Sequence, residues 1–178
     1  KAFPKGIWSR ALESSLKTFG ESHIQDAEKK LKNFQPRNQI ELHLIGHLQS
    51  NKARKAVKNF DIIQTVDSIK LLERINQVSE EENKNQRIYI QVNTGKDPQK
   101  FGFTEKDVFK AAERAAKLQC ITLEGIMTIP PQNLTESRLS KIYEKTRKIR
   151  EKIYQLIQHE CQYLSMGMSN DFETAIKE

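Results

Sequence analysis

The sequence predicts a parallel α/β domain, and three observations carry that prediction. Short β-branched or aromatic runs alternate with longer segments of helical period along the whole chain. The run at 87–93 alternates less than a half-exposed strand would, and 121–129 is almost continuously apolar, as a parallel strand covered by helices must be. No low-complexity linker interrupts the rhythm, and 178 residues fit one domain able to bury roughly 70% of the surface its unfolded chain exposes.

Taken in order, a first helix is expected over residues 6–16 and a strand over 17–20. A helix over 23–34, a strand over 40–45, a helix over 51–59 and a strand over 62–66 follow. Asp67-Ser68 then opens a helix over 68–82, because a side-chain oxygen at that point satisfies N–H groups that the first turn leaves without partners. The strand at 87–93 leads to a helix over 104–118, opened by Thr104 and Asp107. The strand at 121–128 is followed by the break Pro130-Pro131, a long helix over 134–159, a strand over 163–166 and a last helix opening near Asn170. Strict alternation implies a parallel sheet, either open and doubly wound or closed into a barrel. No G-x-G-x-x-G follows the first strand, which leans against a dinucleotide-binding open sheet.

Composition narrows the function classes. Hydrophobic residues make up 37% of the chain and charged residues 30%, a folded and water-compatible balance. No apolar stretch approaches the roughly 18 residues that cross a bilayer, and no secretory signal pattern opens the chain, so a cytoplasmic protein is expected. Cys120 and Cys161 lie outside any C-x-x-C pair and are expected to be reduced and structural. The net charge of +7 would suit a phosphate-bearing partner. Basic residues are nevertheless interleaved with acids, as between Glu144 and Lys152, which marks a solvated helix face; with no nucleic-acid motif present, nucleic-acid binding is not expected.

In parallel α/β folds, ligand-binding residues gather where strands end and helices begin. The junction Met166-Gly167-Met168-Ser169-Asn170-Asp171 looks most like a phosphate site: Gly167 frees the backbone, Ser169 offers a hydroxyl, and a helix starts at once. Asp171 and Glu173 in that first turn suit an ordinary helix start equally well. His43 and His47 are four apart, but on a strand that spacing spans roughly 13 Å, too far to share one metal ion without a turn. A nucleophile elbow fails as well, since Asn170 and not glycine follows Ser169. Met127, Met166 and Met168 read as core or pocket wall. Lys1 by itself is one cation among 30 Lys plus Arg and carries no weight alone.

Several junctions together change that. Lys1-Ala2-Phe3-Pro4, then Phe19-Gly20-Glu21-Ser22 with Gln25, resemble the S-K-T-x-P and F-G-E-N-x-x-Q-E elements of the pyridoxal 5′-phosphate (PLP) homeostasis family. The stretch from His43 to Lys52 resembles that family's H-x-I-G-x-L-Q-x-N-K signature. Thr65-Val66-Asp67-Ser68, Val92-Asn93 with Lys100-Phe101-Gly102, and Gly125-Ile126-Met127-Thr128-Ile129-Pro130 follow in the family's order. Leu164-Ser165-Met166-Gly167-Met168-Ser169, with Asp171, Ala175 and Ile176, is similar to its L-S-M-G-M-S-x-D-x-x-x-A-I block.

The resemblance implies a TIM-type (β/α)8 barrel like the N-terminal domain of alanine racemase, here without its first and last strands. It further implies PLP held as a Schiff base on Lys1, with Ser169 on the phosphate side and Gly167 and Met168 in the same loop. Ser22, His43 and Met127 match pocket positions, although Ser22 stands where the family usually has Asn, so that contact would be shorter or bridged by water. A barrel with six of eight strands would expose sheet edges, so the chain is expected to be a fragment of a longer protein, one PLP-binding domain over 1–178. The implied role is a non-catalytic carrier and regulator of intracellular PLP, a monomer that serves PLP-dependent apoenzymes and so supports vitamin B6 and amino-acid balance. A PLP-dependent amino-acid racemase and a basic nucleic-acid-binding module are the alternatives; the first would need a second acid/base residue and a further β domain.

Overall fold

The computed structural model describes residues 6–32, 34–35, 37–158 and 161–178. Among these residues six strands form: β1 Thr18–Glu21, β2 Glu41–Leu44, β3 Ile62–Val66, β4 Gln86–Gln91, β5 Ile121–Met127 and β6 Tyr163–Ser165. Each pairs in parallel with the next, giving the order β1-β2-β3-β4-β5-β6. A doubly wound sheet would reverse its order part-way, so this order excludes the open alternative.

Helices fill the connections. Helix α1 Ile7–Glu13 precedes β1; α2 Ile24–Leu31, α3 Ala53–Asn59, α4 Ile69–Glu81, α5 Val108–Ala115 and α6 Glu136–Leu156 link successive strands; α7 Phe172–Lys177 follows β6. Ser68 caps α4 as its position predicts, accepting the Leu71 N–H at 3.3 Å. Helix α5 begins four residues later than Thr104 suggests, because the Thr104 hydroxyl donates to the Asp107 carboxylate at 2.6 Å and the two satisfy each other outside the helix. Asn133, at φ 60°, turns the chain just ahead of α6. Among the described residues no helix is long and apolar enough to cross a membrane.

The sheet is strongly curled, and one hydrogen bond demonstrates it. Ser165 Oγ on β6 donates to Gln64 Oε1 on β3 at 2.7 Å. In a flat sheet those strands would stand roughly 14 Å apart, three spacings of about 4.8 Å, beyond the combined reach of a serine and a glutamine. The sheet therefore wraps into a half-barrel.

Curling gives the two faces different chemistry. Outward-facing Leu42, Leu44, Ile63, Ile88, Ile90, Leu123 and Ile126 pack against the helices in one continuous core. Ala53 and Ala56 on α3, and Ala111, Ala112 and Ala115 on α5, let those helices lie close. Each fully buried Leu or Ile adds about 1.5–3 kcal/mol, so this layer holds the fold. Among the described residues the concave face keeps a small apolar cluster, Ile62, Tyr89 and Met127, with Ile129 packed on it. Most of the rest is polar.

Candidate functional site

At the carboxyl ends of the strands the curled sheet opens into a cavity of about 990 Å³. Ser22 and Ile45 from the ends of β1 and β2 form one side, Met127 to Ile129 another, and the 165–171 segment a third, with Gln64 also in the wall. A second, mainly apolar cavity of about 430 Å³ lies against β1 and shares Ser22 and Ile45. The larger one combines a polar floor with the exposed tip of the 166–171 loop.

Two glycines make the rim possible. A Cβ on Gly46 would lie 2.0 Å from the Ser22 carbonyl oxygen, so only glycine lets the ends of β1 and β2 come this close, where Ile45 N–H donates to Glu21 O at 3.0 Å. Gly167 adopts φ 91°, a left-handed conformation that favours glycine, and a Cβ there would lie 2.9 Å from the Ala175 Cβ. Behind the rim, Glu21 and Lys30 form a buried ion pair, and the Lys30 ammonium sits 5.5 Å from the Trp8 ring centroid.

The 166–171 loop is tightly closed. Asp171 and Phe172 donate their amides to Met168 O at 3.0 and 2.8 Å, while the Asp171 carboxylate accepts the Met168 N–H. Ser169 and Asn170 are left exposed at the loop's tip. Beneath it lies the fully buried Tyr143 of α6, whose hydroxyl has no hydrogen bond of good geometry, although Asp171 and Gly167 are its polar neighbours. Burial, and then the Asp171 charge, push its pKa above the ordinary tyrosine value.

The floor is a continuous chain of polar contacts. Ser165 Oγ donates to Gln64 Oε1, and Gln64 Nε2 donates to His43 Nδ1, each at 2.7 Å. His43 Nε2 and Arg87 reach the two oxygens of Glu41, also at 2.7 Å, and Arg87 lies 3.6 Å from Glu124. With Gln64 donating, Nδ1 is the acceptor, so the His43 proton sits on Nε2 and is donated to Glu41. Burial opposes ionisation of Glu41, but hydrogen bonds from His43 and Arg87 outweigh it and hold the carboxyl below its usual range. Burial pushes Glu124 up, and the more distant Arg87 only partly offsets this. Tyr89, whose ring meets His43 edge-on at 6.5 Å, is pushed up to about 12 by burial.

Ser22, Met127, Gly167, Met168 and Ser169 all line the cavity. His43 is placed differently. It is buried at 8% exposure beneath the floor and meets the cavity wall through Gln64, because it sits inside β2, one residue short of the strand's end, with its ring turned toward Gln64 and Tyr89. Lys1 lies outside the described residues. His47 does not join His43: its Nδ1 lies 3.1 Å from Asp67 and its ring stacks on Phe101 at 3.7 Å. Gln64 and Ser165 emerge as site residues only in the structure. Gln64 leaves as its trace a lone polar side chain between Ile62 and Val66 at alternate positions of a buried strand, and Ser165 leaves none beyond its place at a strand end.

The family model described as "Alanine racemase, N-terminal domain" matches residues 6–178. The pyridoxal phosphate homeostasis protein of Vibrio alginolyticus is 37% identical over 172 residues, which cover 94% of this chain and 72% of that protein. The chain belongs to the pyridoxal phosphate homeostasis proteins of the alanine racemase N-terminal-domain family. Among solved members of this family, PipY of Synechococcus elongatus PCC7942 without PLP superposes with a TM-score of 0.93 at 32% identity, covering 98% of this chain and 82% of that one. The form of PipY with PLP bound gives 0.91 at 31% identity, covering 100% and 83%. Alanine racemase of Clostridium difficile 630 shares the fold at a TM-score of 0.75 and 12% identity, over 89% of this chain and 41% of that enzyme.

Proposed function

We propose that this chain binds PLP in the mouth of the half-barrel and serves PLP homeostasis, carrying and regulating the intracellular cofactor. The observation that supports this most directly is the likeness over the whole chain to PipY, solved with PLP bound, together with a cavity whose lining suits that ligand. The lining fits in two respects. Gly167 lets the chain turn against Ala175 and Phe172 of α7, which leaves Ser169 and Asn170 exposed at the tip of the loop beside the cavity. The floor also ends in a hydroxyl, Ser165.

Bound PLP supplies an aldehyde that a deprotonated lysine amine can attack, and Lys1 is the lysine assigned to that role. Because Asp171 already takes the Met168 amide, the phosphate would be met by Ser169 and Asn170 at the tip of the loop. Ser22 would contact the cofactor from the β1 side, with Met127 against its ring. His43 would act from beneath the floor. The same reading makes the protein a cytoplasmic monomer that hands PLP to apoenzymes.

The test is spectroscopic. Adding PLP to the protein is expected to give a lysine-bound absorbance band distinct from free PLP, and Lys1→Ala is expected to abolish it. A band that survives Lys1→Ala refutes the lysine assignment, and no band in the parent protein refutes PLP binding through a lysine.

A further inference from the structure

Beneath the proposed PLP site runs a hydrogen-bond chain whose proton order the cofactor reading leaves open. We propose that His43 is a positioning residue which, through Gln64, decides whether the Ser165 hydroxyl offers a lone pair or a proton to the ligand. This rests on the PLP reading for the ligand's identity, while the chain itself rests on contacts among the protein's own residues.

The polarity follows from counting donors and acceptors. Neutral His43 donates Nε2–H to Glu41 and accepts from Gln64 Nε2 at Nδ1. Gln64 Oε1 is then the acceptor, so the Ser165 O–H is spent on Gln64 and only lone pairs face the cavity. Protonating Nδ1 removes that acceptor. The one partner in place for the new N–H is the same amide, turned over so that its oxygen faces His43. Gln64 Nε2 then donates to Ser165 Oγ, and the serine proton is free for a ligand. The proton taken from solvent stays on His43; no covalent bond forms or breaks elsewhere. The amide and hydroxyl rotate between two fully satisfied arrangements, so neither leaves a buried polar atom without a partner.

The surroundings allow both states. From its own strand His43 faces the Glu41 carboxylate. From β4 it faces Arg87, held on the other Glu41 oxygen, and the Tyr89 ring; Glu124 on β5 lies behind Arg87. On β1 its register partner is Gly20, which carries no charge. Glu41 thus sits between the His43 ring and the Arg87 guanidinium.

The direction follows from the ligand. PLP presents mainly acceptors, namely its phosphate oxygens, its phenolate and an unprotonated ring nitrogen. A freed serine proton and a cationic His43 both favour it. PLP affinity is therefore expected to rise three- to tenfold as pH falls through the His43 midpoint, roughly the worth of one hydrogen bond.

Two measurements test this on the whole chain. In ligand-free protein, ¹⁵N NMR is expected to show neutral His43 protonated at Nε2, and the Gln64 side-chain amide signals are expected to move with the His43 titration. A neutral His43 protonated at Nδ1, or Gln64 signals indifferent to it, overturns the proposal whether or not PLP binds. The PLP dissociation constant is then followed from pH 5.5 to 8.5. Gln64→Glu offers an acceptor on both sides at every pH and cannot turn over, so it should lose the pH-linked change; Ser165→Ala should lose it too. Profiles for the parent and Gln64→Glu that superimpose overturn the proposal. Failure of the parent to bind PLP at any pH would refute the proposed function and leave the NMR test standing.

Discussion

Glu21 and Lys30 offer a sharp test of what holds the rim of the cavity. Their side chains are 7% and 8% exposed, and Lys30 lies against Trp8. Glu21→Leu strands a buried ammonium, and Lys30→Met strands a buried carboxylate. Each should cost about 3–5 kcal/mol, the usual penalty for removing one partner of a buried ion pair. The double variant replaces the pair with apolar groups of similar size beside Trp8 and should return to within about 1 kcal/mol of the parent. Urea denaturation followed by circular dichroism measures all four proteins, provided the slope against denaturant stays constant. Two single losses that simply add in the double variant would show that the charges do not sense each other, and the reasoning would fail. Because Ser22 follows Glu21 directly and Ile45 is bonded to its carbonyl, both single variants should also weaken PLP binding more than the double one does.

Three further outcomes are expected. Tyr143→Phe removes a buried hydroxyl without a well-formed hydrogen bond and should raise stability by about 1 kcal/mol in urea; a loss of that size would mean the hydroxyl is bonded to the loop. Gly46→Ala forces a Cβ against the Ser22 carbonyl and should cost roughly 3 kcal/mol, with a loss of PLP binding by titration, whereas an unchanged midpoint would deny the close approach of β1 and β2. The two carboxylates on Arg87 should respond oppositely to pH in denaturation midpoints taken from pH 3 to 7. Glu41, held low, adds stability that is full above its ordinary value of 4.5 and lost as pH falls through its lower folded pKa, so Glu41→Gln should flatten the acid side. Glu124, pushed up by burial, favours the native state below 4.5 and loses that contribution as pH rises through its folded pKa, so Glu124→Gln should flatten the opposite slope.

The elements that could be read from the sequence are those whose signal is local. Apolar β-branched runs such as Ile62-Ile63 and Ile88-Tyr89-Ile90 mark strands, and Ser68 marks a helix start, because backbone propensity and capping act within a few residues. Closure was not legible in the same way. Whether β3 and β6 meet depends on curl accumulated over three strands, and the contact that reveals it joins residues 101 apart in sequence. The loop at Gly167 to Ser169 stands out in the sequence because glycine and serine just ahead of a helix are a compact pattern, one that suits a plain helix start as well. The floor does not, since Gln64 and Ser165 look ordinary until the sheet brings them together. His43 shows the limit most clearly: its strand position implies a pocket wall, but its ring meets Gln64 and Glu41 below the cavity.

The most direct test of PLP binding at this site is to incubate the protein with PLP, reduce it with borohydride and map the modified peptide by mass spectrometry. A pyridoxyl group on Lys1, absent after Lys1→Ala, is the predicted result. Modification spread over surface lysines, or fixed on a lysine remote from the cavity, would contradict it.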